Sequence, residues 1–320
     1  MIARTTRRAL FSAALALALG ACATPQLDAL RTRPGSVPEK AAVAQPVFYA
    51  QRTKECGPAA LAMVLAHAGV RVHPDDLVRE VYNRGREGSL TPAVLAAARR
   101  HGRIAYPVGQ LSALFRAVSR DRPVIVLQNL GLQMFPRWHY AVVVGYDLGT
   151  GDVILHSGMT KYLRMSLETF ERTWARGGYW ALLVLRPGEF PDPVDEATYV
   201  KAVAGVERAG QARAAAAAYR AAAARWPDNV VALMGLGNTL YKLKQRRAAA
   251  SAYRRASQRH PDNGDALNNL AHVLAELGEL AAAARAAEKA VALGGANKAT
   301  YLKTLRSIRA KQQRGAGRVR

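Results

Sequence analysis

Between Ala218 and Asn263 the chain repeats itself. Trp226-Pro227-Asp228-Asn229 returns as His260-Pro261-Asp262-Asn263, 34 residues later, and Ala218-Tyr219-Arg220 returns as Ala252-Tyr253-Arg254 at the same offset. Ala222, Ala256 and Ala290 extend the series, and Leu233, Leu236 and Gly237 match Leu267, Leu270 and Ala271. An Ala-rich text of this period, closing on proline, dictates a stack of helix–turn–helix units. One such unit cannot bury its apolar face alone, whereas stacked neighbours can. Small residues at fixed positions let paired helices approach closely, and the proline ends each pair. Three units fit, 195–228, 229–262 and 263–296, with the outer two degenerate as the ends of an array are.

This period resembles the tetratricopeptide repeat, and the resemblance implies an all-α solenoid over 198–310 that recruits a protein partner. Residues 311–320 read as a basic, disordered tail. Pro187, Pro191 and Pro193 among acidic residues mark a linker over 188–197. The repeat half holds most of the charge: residues 198–320 carry 22 Lys/Arg and 7 Asp/Glu, so +15 of the formal +23 lies there. Such a field attracts acidic partners or anionic lipid. No zinc-finger, RNA-recognition or Gly-rich phosphate-cradling motif accompanies it, so neither nucleic acid nor a cofactor or metal is expected.

The N-terminus reads as a targeting segment over residues 1–21. Arg4, Arg7 and Arg8 form its charged region, and Ala9 to Leu19 an apolar stretch too short for a comfortable membrane span. Leu19-Gly20-Ala21-Cys22 resembles the lipobox of bacterial lipoproteins. The resemblance implies lipidation of Cys22 and an envelope location, with Ala23 favouring the outer membrane facing the periplasm. Residues 22–45 read as a tether in which Pro25, Pro34, Gly35 and Pro38 break any helix. With Cys22 carrying lipid, Cys56 is the remaining thiol of a two-cysteine chain and has no disulfide partner.

Residues 46–187 form a domain of their own. Leu61, Val64, Leu65 and Ala68 recur at helical spacing, and Gly69 ends that helix. Further helices are expected over Pro74–Tyr82, from Thr91 to Gly102, over Leu111–Ser119 and around Leu167–Ala175. Strands are expected at Val124–Leu127, His139–Tyr146, Val153–Leu155 and Tyr179–Leu185, with Gly149-Thr150-Gly151-Asp152 as a hairpin turn. Helices first and an antiparallel sheet second make an α+β domain.

Cys56 stands at the mouth of the first helix, followed by Gly57 and Pro58, with the amide of Gln51 five residues upstream. A thiol nucleophile needs an activated sulfur, a base, a group to orient the base, and oxyanion donors. A helix dipole and a nearby imidazolium are expected to depress the Cys56 pKa. Of seven histidines, His139 opens a strand that can hold its ring rigidly toward a facing helix, which makes it the candidate base.

Gln51, Cys56-Gly57-Pro58-Ala59 and His139-Tyr140-Ala141-Val142-Val143 together resemble the papain-like peptidase domain of bacteriocin-exporting transporters, the double-glycine leader peptidases. The resemblance implies a papain-like fold, Cys56 as nucleophile, His139 as general base and Gln51 as oxyanion donor. The family places an Asp-Pro pair at the end of the next strand, where this chain reads His156-Ser157, so Ser157 or His156 is the candidate orienter. Asp147 is a hairpin residue on this reading. The expected activity is an envelope-anchored cysteine peptidase acting on a peptide or protein. The alternative is a peptidase-like domain with little or no turnover that serves as a binding scaffold.

Overall fold

Helix α1 (Pro25–Arg31) opens the chain described by the computed structural model, which covers residues 23–33, 35–51 and 55–317. Pro25 starts this helix instead of breaking it, because the first turn has no use for its missing N–H. Leu27 and Leu30 are buried, and the Glu171 carboxylate accepts from the N–H groups of Gln26 and Leu27 at 2.8 and 2.7 Å. Strand β1 (Lys40–Ala42) then pairs antiparallel with Asp147, Tyr146 and Gly145. The stretch 23–45, expected to be a tether, is therefore largely built into the first domain. Residues 1–22, with the targeting segment and Cys22, lie outside the described residues.

Helix α2 (Cys56–His67) is buried on all sides from Gly57 to Leu65, not along one stripe. A helix this apolar all round belongs inside a core, and it packs on the central strands of the sheet. Gly69, with φ +80°, closes it in the left-handed conformation that favours glycine. Helix α3 (Pro74–Val81) is capped by His73, which accepts from Asp75 N–H at 3.4 Å. A small hairpin follows, β2 (Tyr82–Asn83) with β3 (Gly88–Ser89), and then α4 (Thr91–Arg100), β4 (Ile104–Val108) and α5 (Leu111–Ser119).

The sheet is completed by β5 (Val124–Asn129), β6 (Trp138–Asp147), β7 (Asp152–Ser157), β8 (Thr160–Ser166) and, after helix α6 (Leu167–Arg176), β9 (Ala181–Leu185). The seven-stranded sheet runs β4-β9-β5-β6-β7-β8, with β1 pairing β6 beyond the end of β5. β5, β6, β7 and β8 are antiparallel neighbours in turn, so the start of β6 and the end of β7 meet at the same end of the sheet.

The second unit is an α-helical array of seven helices among the described residues. They are α7 (Glu196–Arg208), α8 (Ala212–Arg225), α9 (Val230–Lys242), α10 (Arg246–Arg259), α11 (Gly264–Glu276), α12 (Leu280–Leu293) and α13 (Lys298–Gly317). The recurring Asn has a structural cause. Asn229 and Asn263 each cap the first helix of a unit, accepting from the N–H of Ala232 at 2.7 Å and of Ala266 at 2.9 Å. The recurring Tyr has a structural cause too: the rings of Tyr219 and Tyr253 occupy the space a Cβ would need at Gly235 and Gly237 on α9. The tail departs from expectation. Tyr301, Leu305 and Ile308 form a buried stripe on α13, which runs to Gly317 and leans Tyr301 on Gly264. Residues 311–317, expected to be disordered, thus continue a helix whose buried stripe caps the array, and 318–320 lie outside the described residues.

Candidate active site

Cys56 is the first residue of α2, and its neighbour must be glycine. A Cβ at Gly57 would run into the side chain of Ser89 on β3, so the small hairpin can lie directly on the helix start only because position 57 has no side chain. Gln51, Cys56, Ser89, Trp138, His139, Tyr140 and Gly158 line one cavity of about 750 Å³, together with Arg86 and Glu87 of the hairpin. The three residues singled out by sequence for nucleophile, base and oxyanion donor therefore face the same cavity.

The strand end of β7 organises this site. Ser157 Oγ lies 2.8 Å from His139 Nε2, which leaves the other ring nitrogen, Nδ1, for a thiol proton. Gly158 holds Gln51 twice: its N–H donates to Gln51 Oε1 at 3.1 Å, and its carbonyl accepts from Gln51 N–H at 3.0 Å. Gln51 Nε2 donates to the Tyr140 carbonyl at 3.3 Å. An amide nitrogen carries two hydrogens, so a second donor is left for an oxyanion.

His156 stands apart from this set. Side chains alternate along a strand, and His156 turns away from Ser157 into the interior, where it is fully buried. Its Nδ1 lies 3.2 Å from the Val47 carbonyl, and its ring meets Phe48 and Tyr162 edge-on at 5.1 and 5.0 Å. Of the two candidate orienters, Ser157 contacts His139, while His156 anchors the segment leading to Gln51. Asp147 is a hairpin residue, its Oδ1 accepting from the N–H groups of Gly149 and Thr150 at 3.0 and 3.1 Å.

The electrostatics reverse one expectation. Burial pushes the Cys56 thiol up, against main-chain hydrogen bonds from Tyr140, Gly57 and Cys56 itself that favour the thiolate. Burial also holds His139 below the usual imidazole range. Both shifts favour the neutral pair, so the expected depression of the thiol by the helix start is outweighed by desolvation. Among the described residues no carboxylate bonds to His139 to draw a proton onto the ring; its side-chain partner is the neutral hydroxyl of Ser157.

Tyr140 and the β2–β3 hairpin escaped the sequence reading. Tyr140 packs edge-on against Trp180 and donates its hydroxyl to the Ser89 carbonyl at 3.2 Å, tying hairpin to sheet. The only signal for that hairpin was a polar Asn-Arg-Gly-Arg-Glu-Gly run, which reads as an ordinary loop.

Residues 43–182 match the model of the Peptidase C39 like family, and residues 207–246 and 236–298 match the tetratricopeptide repeat. The chain carries a C39-like peptidase domain followed by tetratricopeptide repeats. Among solved structures, a crystal structure described as that of a C39-like peptidase from Bacillus anthracis is 18% identical, covering 46% of this chain and 98% of that one, with a TM-score of 0.39. The first tetratricopeptide repeat domain of Spaghetti (RPAP3), bound to an HSP90 peptide, is 18% identical over 37% of this chain and 93% of that one, with a TM-score of 0.35. The Yersinia enterocolitica type III secretion chaperone SycD, in complex with a peptide of the translocator YopD, is 18% identical over 36% of this chain and 92% of that one, with a TM-score of 0.34. Comparison with curated proteins gives no match. In the C39-like domain, the matched span contains every residue that lines the cavity around Cys56.

Proposed function

We propose that this chain is a cysteine peptidase whose nucleophile is Cys56 and whose base is His139, with the repeats recruiting a peptide or protein. The observation that carries this reading is that Gln51, Cys56 and His139 line one cavity, with the Ser157 hydroxyl 2.8 Å from the His139 ring. The Cys56 sulfur attacks the scissile carbonyl carbon, and its proton passes to His139 Nδ1. The carbonyl oxygen gains negative charge, which Gln51 Nε2 and the Cys56 N–H stabilise. The C–N bond then breaks as His139 returns the proton to the leaving amine, leaving a thioester on Cys56. Water attacks the thioester, His139 taking its proton, and the C–S bond breaks to free the acid and restore the thiol.

Burial favours the neutral form of both groups, so on this reading proton transfer accompanies attack instead of preceding it. Alkylation by iodoacetamide should reflect this. The thiolate grows only as pH rises toward a thiol pKa held above the ordinary range, so the rate at Cys56 climbs steadily into alkaline solution. A preformed thiolate–imidazolium pair would instead level off near neutrality. Full alkylation of Cys56 should also abolish cleavage of a mixed peptide library; cleavage that survives it would end the peptidase reading.

A second reading, a binding scaffold with little turnover, is favoured by the neutral hydroxyl where the resemblance leads one to expect a carboxylate. It requires that a fully folded chain leave every peptide in the library intact.

We further propose that Cys22 is lipidated and holds the protein in the cell envelope, at the outer membrane facing the periplasm. Support comes from Leu19-Gly20-Ala21-Cys22 after a short apolar stretch. Several acyl chains would make such attachment stable where one would not. Radiolabelled palmitate should enter the wild-type chain and not Cys22→Ser; equal labelling of the two removes the anchor from this account.

A further inference from the structure

The two ends of the C39-like sheet differ in kind. At one end, β6 turns into β7 through Asp147-Leu148-Gly149-Thr150-Gly151-Asp152, a polar hairpin knit by Asp147. At the other end lie the loop from β5 to β6, residues 130–137, and the turn from β7 to β8 at Gly158-Met159. This is the end at which His139, Ser157 and the cavity open. It carries Leu132, Met134 and Phe135 at 71, 83 and 74% exposure, with Trp138, Met159 and Tyr162 also exposed.

Side chains that line a peptide groove are partly covered by its walls. Leu132, Met134 and Phe135 keep most of their surface in solvent, more than the walls of a groove would leave them, so they project from the loop. A patch of this size on a water-facing surface calls for a partner. The charges on the tip segments themselves are positive: residues 130–138 and 157–162 contain Arg137 and Lys161 and no Asp or Glu, while Glu87 lies back in the cavity and Arg164 is paired with Asp152 toward the opposite end of the sheet. Lys161 reaches its ammonium over the Tyr162 ring at 5.0 Å from the centroid. A protruding apolar tip with an indole at its base and cations at its rim matches a phospholipid interface, apolar side chains below and cations at phosphate depth.

We propose that this end of the sheet docks on a phospholipid bilayer, the 130–137 loop entering the interface through Leu132, Met134 and Phe135. The cavity of Cys56 then opens at the membrane surface, and chains held near that surface reach it first. This docking is independent of turnover at Cys56.

The test uses the chain from Ala23 onward and vesicles of phosphatidylcholine with a minority of phosphatidylglycerol. High salt screens the charge of the repeats. The wild-type chain should sediment with the vesicles, and L132S/M134S/F135S should lose at least about ten-fold in partition. Brominated lipid should quench a fluorescence component that is missing in Trp138→Phe, which reports insertion at this end even if the triple variant folds poorly. Wild-type protein left in the supernatant at high salt overturns the proposal, as does partition unchanged in a folded triple variant or an unquenched Trp138. A triple variant that binds vesicles normally but fails on soluble peptides also overturns it, because the tip would then grip an extended apolar polypeptide.

Discussion

Cys56→Ala should abolish peptide cleavage, with His139→Ala close behind. Each is expected to cost on the order of 10⁴-fold or more in kcat, because nucleophile and base act as one unit. For the same reason the double variant should be little worse than either single one. Ser157→Ala should cost far less, about ten-fold, since the hydroxyl at 2.8 Å orients the His139 ring without neutralising an imidazolium. Cys56 is only partly buried and begins a helix, so alanine there should leave the melting curve in place and separate lost chemistry from lost fold. Cleavage of one library peptide, followed by mass spectrometry across the wild type and the four variants, measures the series. Wild-type rates from Cys56→Ala would remove the proposed nucleophile outright.

Gly177→Ala should unfold the C39-like domain at a markedly lower temperature. Gly177 follows the last turn of α6, and a Cβ there would collide with the main-chain carbonyl of Leu127 on β5. Main chain cannot swing aside as a side-chain tip can, so the helix must lift off the sheet. Overpacking of this kind costs about 2–3 kcal/mol, or a fall in Tm on the order of 5–10 °C for a domain of this size. Its neighbour supplies the contrast. Gly178 has φ +70° and open space where a Cβ would go, so Gly178→Ala meets only left-handed strain, about 1 kcal/mol. Scanning calorimetry can follow the domain's own transition in a two-unit chain, where a single Tm has no clear meaning. Equal shifts for both variants would refute the collision.

How far these features could be read from the chain depends on whether their cause was local. Helix α2 was legible because the apolar spacing after Cys56 and the terminating Gly69 are local signals, and the solenoid because two motifs recur at one offset. Strand β8 was missed: its residues are mostly exposed, so it shows neither an apolar run nor clean alternation. β4 was hidden by Pro107 in its middle. Helix α1 depends on the Glu171 carboxylate, 144 residues from Leu27, and no local pattern can announce such a partner. At the site, that Cys56 and His139 would face one cavity was legible from residue type and placement, and Ser157 and His156 were both plausible partners from position. Which of the two faces the base depends on strand phase, and whether the thiol rises or falls depends on burial, which only the folded chain supplies.

That phase has a consequence for the site as a whole. Irregularities in pairing fall between Val143 and Gly145 against β7, and between Leu155 and Ser157 against β8. They set the reading frame for His156, Ser157 and Gly158. In the present frame, one residue anchors the Gln51 segment from within, the next seats the base, and the third clasps Gln51. A slip of one position would offer His139 a second imidazole and release the clasp in the same step. The proposed base and the proposed oxyanion donor thus depend on one register: lengthening or shortening this strand by one residue would displace the partners of both at once, whereas substitution can alter either alone.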